Sequence, residues 1–288
     1  MDMYEVGAKK ALTYNLIDYP IVPVEYSKNN NVVVCCSGGK DSTAVAIKLK
    51  EENYNVCLYY VKGINKSYPE EEKRIAGIAE YLQVPYYIDK RFKFSGHSDF
   101  PDNPVKNQLI LSMALNYAHE SGNACKIAFG DFNQDTIAKC DFMTSWSDTI
   151  EMQTAYQSFI KHYVPDFEYI APFNSEFDSI NIINTHYEIL PLTQSCITPY
   201  RFRNKLKTCN EEKYKMELPA NRCGSCYKCC REYIHFHILG RYDLNQGFYK
   251  HCLDIFKKTL KKQHPEFLKI DNKVAYEYYI KLPYEELK

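Results

Sequence analysis

Residues 31–190 predict an α/β protein with a Rossmann-like parallel sheet covered by helices on both faces. Three observations carry this. Short apolar runs alternate with amphipathic segments of helical length, and such alternation stacks a sheet between helical layers. The first run, Val32-Val33-Val34-Cys35-Cys36, is continuously apolar and rich in β-branched residues, as in a strand buried on both sides. Two adjacent glycines, Gly38 and Gly39, follow it and lead straight into a helix.

The elements follow in order. A helix is predicted from about Asp41 to Glu52 and a second strand from Val56 to Val61. Glu70 to Gln83 reads as a helix, because Ile75, Ile78, Ala79 and Leu82 recur at helical spacing. Glutamates in its first turn suit the helix dipole. Val84-Pro85 stops it, and Tyr86-Tyr87-Ile88 is a third strand. After a polar loop over residues 91–103, a helix from Val105 to Glu120 places Leu111, Ala114, Leu115 and Ala118 on one face. Ser121-Gly122-Asn123 ends that helix. Lys126 to Gly130 is a fourth strand. Residues 131–147 form a polar loop, Asp148 to Tyr163 a helix, Tyr169-Ile170-Ala171 a short strand and Ser179 to Leu190 a further helix.

Four segments result: an N-terminal extension over 1–30, the α/β domain over 31–190, a cysteine-rich segment over 191–231 and a helical C-terminal extension over 232–288. Apolar residues make up 45% of the 288-residue chain, enough for a packed core. Lys+Arg and Asp+Glu both number 36, so no global field draws the chain to nucleic acid or anionic lipid. Met1-Asp2-Met3-Tyr4-Glu5 has no basic stretch followed by an apolar one, so no signal peptide is expected, and no run approaches a membrane span. Twelve cysteines in a chain of this length, without a secretory signal, read as reduced cytoplasmic thiols with one metal cluster.

The chemistry centres on Ser37-Gly38-Gly39-Lys40-Asp41-Ser42. Glycines after a buried strand let backbone amides approach an anion. The hydroxyls of Ser37 and Ser42, the Lys40 charge and the dipole of the following helix add to that. No glycine stands at the spacing of the GxxxxGK[ST] loop. Asp41 is expected to hold the loop or a Mg²⁺ ion, which ATP phosphates carry. Ligands in such sheets bind beyond the carboxyl ends of the strands, where Gly38, Gly39 and Gly130 all fall.

Cys223-Gly224-Ser225-Cys226-Tyr227-Lys228-Cys229 is a CxxCxxC array suited to structural tetrahedral zinc, with an iron–sulfur cluster as the competitor. Cys196 and Cys209 are both candidates for the fourth ligand, and Cys230 ranks last because it adjoins Cys229. His235 and His237 read as partly buried helix residues.

The loop resembles that of the PP-loop (pyrophosphatase-loop) superfamily, whose members transfer AMP or release pyrophosphate. With the cysteine array, the chain resembles the QueC-like 7-cyano-7-deazaguanine synthases. Four places carry the resemblance: Ser37 to Thr43; Pro104-Val105-Lys106-Asn107, similar to Val-Pro-x-Arg-Asn with Lys106 in place of Arg; Ile127-Ala128-Phe129-Gly130, with Trp146-Ser147-Asp148 roughly where the family has Tyr-Pro-Asp; and Ser195-Cys196 with Cys223, Cys226 and Cys229. Residues 31–231 are covered. The resemblance implies zinc on Cys196, Cys223, Cys226 and Cys229. It implies ATP and Mg²⁺ on Ser37, Gly38, Gly39, Lys40, Asp41, Ser42, Thr43 and Gly130. Lys40, Asp41 and Lys106 are the implied catalytic residues, and Lys106, Asn107 and Asp148 the implied contacts to a deazaguanine substrate. The implied reaction is adenylation of 7-carboxy-7-deazaguanine, amide formation and dehydration to the nitrile. Homodimers are common in the family.

Three departures matter. Ser195-Cys196 is followed by Ile197 where the family has Tyr, 26 residues separate Cys196 from Cys223, and both ends extend past the shared core. They fit an alternative in which a QueC-like enzyme joins the activated base to a protein N-terminus in antiphage defence. Further alternatives are a tRNA-modifying PP-loop enzyme, a sulfonucleotide reductase relative using Cys252, and a nucleotide-binding scaffold without activity.

Overall fold

The computed structural model describes residues 30–62, 71–91, 106–121, 125–133, 149–194, 222, 227–239 and 252. Five strands form one sheet: β1 (Asn31–Cys35), β2 (Asn55–Val61), β3 (Tyr86–Asp89), β4 (Lys126–Ala128) and β5 (Glu168–Ile170). Their order is β3-β2-β1-β4-β5, and every pairing is parallel. The helices are α1 (Lys40–Glu51), α2 (Glu71–Leu82), α3 (Lys106–Glu120), α4 (Ile150–Tyr163), α5 (Glu176–Thr185) and α6 (Tyr227–Ile238). The predicted fold class is the observed one.

The sheet separates two cores. Val32 and Val34 of β1 face α1, α2 and α5, packing with Ile47, Ile75, Ile78, Ile180 and Ile183. Val33 and Cys35 face the other way, toward Leu111 and Ala114 of α3 and Ile160 of α4. Side chains alternate across a strand, so β1 needs apolar residues at every position to feed both cores. That is why its sequence runs without polar interruption.

Strand order reverses direction between β1 and β4: the chain moves outward through β2 and β3, then returns to the far side of β1. Such a switch point opens a crevice at the carboxyl ends of the two central strands. Gly38 and Gly39 lie at one lip and Gly130 at the other.

Two boundaries differ from expectation. The helix predicted over 179–190 begins at Glu176 and ends at Thr185, followed by a 3₁₀ turn over Tyr187–Leu192. The polar Ser175–Asp178 capping box starts it earlier than its apolar period indicates, since the Ser175 amide donates to Asp178 at 2.8 Å. Pro191, lacking an N–H, sits in the tighter terminal turn. The C-terminal helix starts at Tyr227, inside the cysteine-rich segment, so Cys229 and Cys230 lie in its first turn. Residues 1–29 of the N-terminal extension and residues 253–288 lie outside the described residues.

Candidate active site

β1 ends at Cys35, and the chain turns through Gly38 at φ +73°, a left-handed conformation that favours glycine. Gly39 then caps α1 in extended geometry and, being glycine, offers the first-turn amides no side-chain cap. The Gly39 carbonyl accepts the Thr43 amide at 3.1 Å, the Thr43 hydroxyl at 2.8 Å and the Ser42 hydroxyl at 3.3 Å. Ser42 and Thr43 therefore brace the loop from behind. Gly130 closes from the β4 side: a Cβ there would stand 2.8 Å from the Ser42 backbone nitrogen and 3.0 Å from the Asp41 carbonyl carbon. Only a residue without a side chain lets β4 reach α1 this closely.

Lys40 is buried in the first turn of α1. Its ammonium lies 2.6 Å from Asp41 Oδ1 and 2.5 Å from Glu176 Oε1. Asp41 Oδ1 also accepts the Ser179 hydroxyl at 2.6 Å. This hydrogen bond ties Asp41 to α5. Glu176 in turn faces Arg231 of α6, whose Nε lies 2.8 Å from Oε2 and whose terminal nitrogen donates to Oε1 at 2.9 Å. Burial alone would raise the Glu176 carboxyl, but Arg231 and Lys40 together hold it well below the usual carboxylate range. Burial likewise opposes the Lys40 charge, and Asp41 and Glu176 outweigh it and raise the ammonium. Both groups are therefore ionised at neutral pH. Lys228, one turn before Arg231, is pushed down by burial and by the Arg231 and Lys40 charges. Burial also pushes the His235 imidazole down to about 4, so it is neutral at pH 7.

The loop and the cysteine-rich segment meet at two points. The Gln194 amide donates to the Gly38 carbonyl at 2.8 Å, two residues before Cys196. The Lys40–Glu176–Arg231 chain makes the other contact, two residues after Cys229. Arg222, beside Cys223, anchors the segment from below. Its guanidinium pairs with Glu232 at 2.7 Å and donates to the Leu190 and Thr193 carbonyls at 3.0 and 2.7 Å. Glu176, Ser179, Arg222, Arg231 and Glu232 were missed in the sequence reading. The signals available were the Ser175–Asp178 capping box and charged residues inside otherwise apolar helices.

Of the expected zinc ligands, Cys229 is buried in the first turn of α6 and forms no disulfide. Cys196, Cys223 and Cys226 lie outside the described residues, as does Cys209, and among the described residues no cluster of three or more metal-ligating side chains occurs. Cys252 is buried and free. His235 is fully buried on α6, as a helix residue.

On the other side of the sheet, a water-sized cleft of about 10 Å³ is lined by Asn107, Gln108, Leu111, Phe129, Gln153, Tyr156 and Tyr169. Phe129 and Tyr169 stack, with ring centroids 5.6 Å apart, and Tyr169 donates to the buried Asp131 carboxylate. The Gln108 side-chain oxygen is buried and has no hydrogen-bond partner among the described residues. Asn107 thus meets an aromatic, amide-lined cleft, and Phe129 ties that cleft to Gly130 and the loop. Lys106 begins α3, but its side chain and Asp148 lie outside the described residues.

A parallel sheet whose first strand ends in a Ser-Gly-Gly turn capping a helix at the switch point sets the loop where open parallel sheets bind their ligands. The chain is 35% identical over 89 residues to the 7-cyano-7-deazaguanine synthase of Saccharolobus solfataricus, covering 30% of this chain and 19% of that protein. It is 30% identical over 124 residues to the tRNA-specific 2-thiouridylase MnmA of Lactococcus lactis, covering 36% of this chain and 33% of that protein. The matched parts span only about a fifth to a third of these curated relatives. Among solved structures, the NH3-dependent NAD synthetase of Campylobacter jejuni aligns over 91% of this chain and 96% of its own, at 14% identity and a TM-score of 0.37. No family model matches the chain. The resemblance to 7-cyano-7-deazaguanine synthase read from the motifs is thus met independently in the alignment. No described helix is long and apolar enough to cross a membrane.

Proposed function

We propose that the protein is a cytoplasmic QueC-like ligase that uses MgATP to adenylate the carboxylate of a 7-carboxy-7-deazaguanine. The observation that carries this reading is the convergence of the glycine loop and the cysteine-rich segment on Lys40, through Glu176 and Arg231. A loop alone fits many nucleotide-using enzymes, whereas a loop wired to a cysteine array fits this family.

In the proposed reaction a carboxylate oxygen attacks the α phosphorus of ATP and pyrophosphate leaves. The resulting acyl-adenylate has AMP as a good leaving group. Ammonia attacks the acyl carbon, AMP departs and the nitrogen sheds a proton, giving the amide. In a second round the amide oxygen attacks the α phosphorus of ATP and pyrophosphate leaves, and loss of AMP and the two amide protons then leaves the nitrile. The amides of the first turn of α1 and the Lys40 ammonium would stabilise phosphoryl charge where it develops. Asn107, with Lys106 and Asp148, would hold the base so that its carboxylate reaches the phosphate in line. Mg²⁺ would neutralise phosphate charge. A zinc ion on Cys196, Cys223, Cys226 and Cys229 would fix the start of α6 and, with it, Arg231.

The test is incubation with ATP, Mg²⁺, ammonia and 7-carboxy-7-deazaguanine, with AMP and product mass followed. Substrate-dependent AMP and a nitrile mass are expected. AMP without free nitrile, together with a base-derived mass on a partner protein, moves the reading to the protein-conjugating alternative. Absence of substrate-dependent AMP overturns the ligase reading. The similarity to MnmA favours a second reading, tRNA modification. Salt-sensitive tRNA binding would support it against the zero net charge of the chain.

A further inference from the structure

A second stretch of chain runs along the phosphate loop. The Gln194 amide donates to the Gly38 carbonyl at 2.8 Å, and the Gln194 carbonyl oxygen stands 3.7 Å from the point that a Gly39 Cβ would occupy. Its backbone therefore borders both loop glycines. Thr193 holds it there. The Thr193 carbonyl accepts from Arg222 at 2.7 Å, and its hydroxyl accepts from a second guanidinium nitrogen at 2.9 Å and donates to the Leu190 carbonyl at 2.9 Å. The Gln194 side chain is different. Its oxygen is buried and has no hydrogen-bond partner among the described residues, whereas the hydroxyls of Ser42, Thr43, Ser179 and Thr193 all donate to protein acceptors. Buried acceptors are nearly always paired, because an unmet one loses its hydration and gains nothing. A bound group that brings a donor would satisfy it. Nonbridging phosphate oxygens only accept, so the polyphosphate alone offers this oxygen no donor. Magnesium held by phosphates keeps several of its waters, and the cation polarises each of them into a strong donor.

We propose that Gln194 is an outer ligand of the ATP-bound Mg²⁺, its side-chain oxygen accepting a hydrogen bond from a magnesium-bound water at the Gly38-Gly39 loop. This rests on the ATP-binding reading above. Gln194 then reads the metal rather than the phosphates. Its contribution belongs to MgATP and is missing for ATP without metal. A glutamine that only braced the loop would act on both alike.

The experiment measures ATP affinity by calorimetry with Mg²⁺ and without added divalent metal, for wild type, Gln194→Leu and Gln194→Glu. It also measures the Mg²⁺ concentration that half-saturates the complex at fixed ATP. Gln194→Leu is expected to bind MgATP about tenfold more weakly and to need more Mg²⁺, yet to keep the wild-type affinity for metal-free ATP. Gln194→Glu keeps the acceptor and loses the donor end of the amide. It should bind MgATP nearly as well as wild type and metal-free ATP more weakly. Equal MgATP affinity of wild type and Gln194→Leu would overturn the proposal while leaving the ATP reading intact. So would an equal loss in Gln194→Leu with and without metal, which marks a bracing role. Gln194→Glu no better than Gln194→Leu toward MgATP would overturn it too, by making the amide nitrogen the contact. Where metal-free affinity lies below the calorimetric range, the half-saturating Mg²⁺ decides, and an unchanged value in Gln194→Leu overturns the proposal. Wild type that binds ATP in neither condition would remove the ATP reading itself.

Discussion

Gly130 shows how a single missing side chain builds the site. The end of β4 rests against the first turn of α1, and a Cβ would meet backbone atoms of Asp41 and Ser42 rather than a side chain able to swing away. Gly130→Ala must therefore push β4 from α1 or shift the loop. Overpacking of this kind costs about 1–3 kcal/mol. The expected outcome is a lower melting temperature together with weaker MgATP binding, because the displaced atoms belong to the phosphate loop. Unchanged ATP affinity in a destabilised Gly130→Ala would mean that the strand yields and the loop does not. The glycine was legible in the sequence as the end of a strand, but its reason was not. Close approach across a switch point is a property of two segments some 90 residues apart.

At the scale of the element, the buried Arg222–Glu232 ion pair ties α6 to the end of the 3₁₀ turn. Arg222 and Glu232 are both buried, and Arg222 also satisfies the Leu190 and Thr193 carbonyls at the end of the 3₁₀ turn. Removing one partner strands the other charge. Arg222→Met is expected to cost about 3–5 kcal/mol in urea unfolding. The double variant Arg222→Met/Glu232→Leu should recover much of that loss, because the stranded carboxylate is gone. Equal stability of Arg222→Met and wild type would show that the pair does not anchor the helix. The start of α5 is a smaller case of the same logic. Asp178 accepts the Ser175 amide and hydroxyl, and the box orients Glu176 toward Lys40. Asp178→Ala is expected to destabilise by about 1 kcal/mol. Strands and most helices were legible because apolar period and β-branching are local signals. The partnership of Lys40, Glu176 and Arg231 was not, because the residues are spread over nearly 200 positions and charge pairing leaves no periodic trace.

For the whole molecule, these buried charges fix how stability responds to pH. Burial lowers the His235 pKa from its ordinary value near 6.5 to about 4, with Arg231 and Lys40 adding to the shift and Glu176 and Glu232 opposing it. The unfolded chain therefore binds a proton on this residue at a pH where the folded chain does not. Stability from neutral His235 is present above about pH 6.5 and is lost as pH falls toward 4. Glu176 acts in the same direction at lower pH: its folded pKa is depressed, so its contribution holds above the unfolded carboxylate range and fades below it. Lys40 acts at the other end. Its folded pKa is raised, so its contribution is full below about 10.5 and is lost as pH climbs through the folded value. A plateau from about pH 7 to the thiol range near 9 follows, above which the buried Cys35 and Cys36, raised by burial, lose their contribution, and an acid slope starts well above the carboxylate range. Between pH 7 and 5 the His235 share is on the order of 2 kcal/mol. Urea unfolding at several pH values checks this: wild type should lose stability from pH 7 to 5, and His235→Gln, which cannot take up the proton, should lose much less. Parallel pH profiles for the two proteins would place the acid sensitivity in the carboxylates instead.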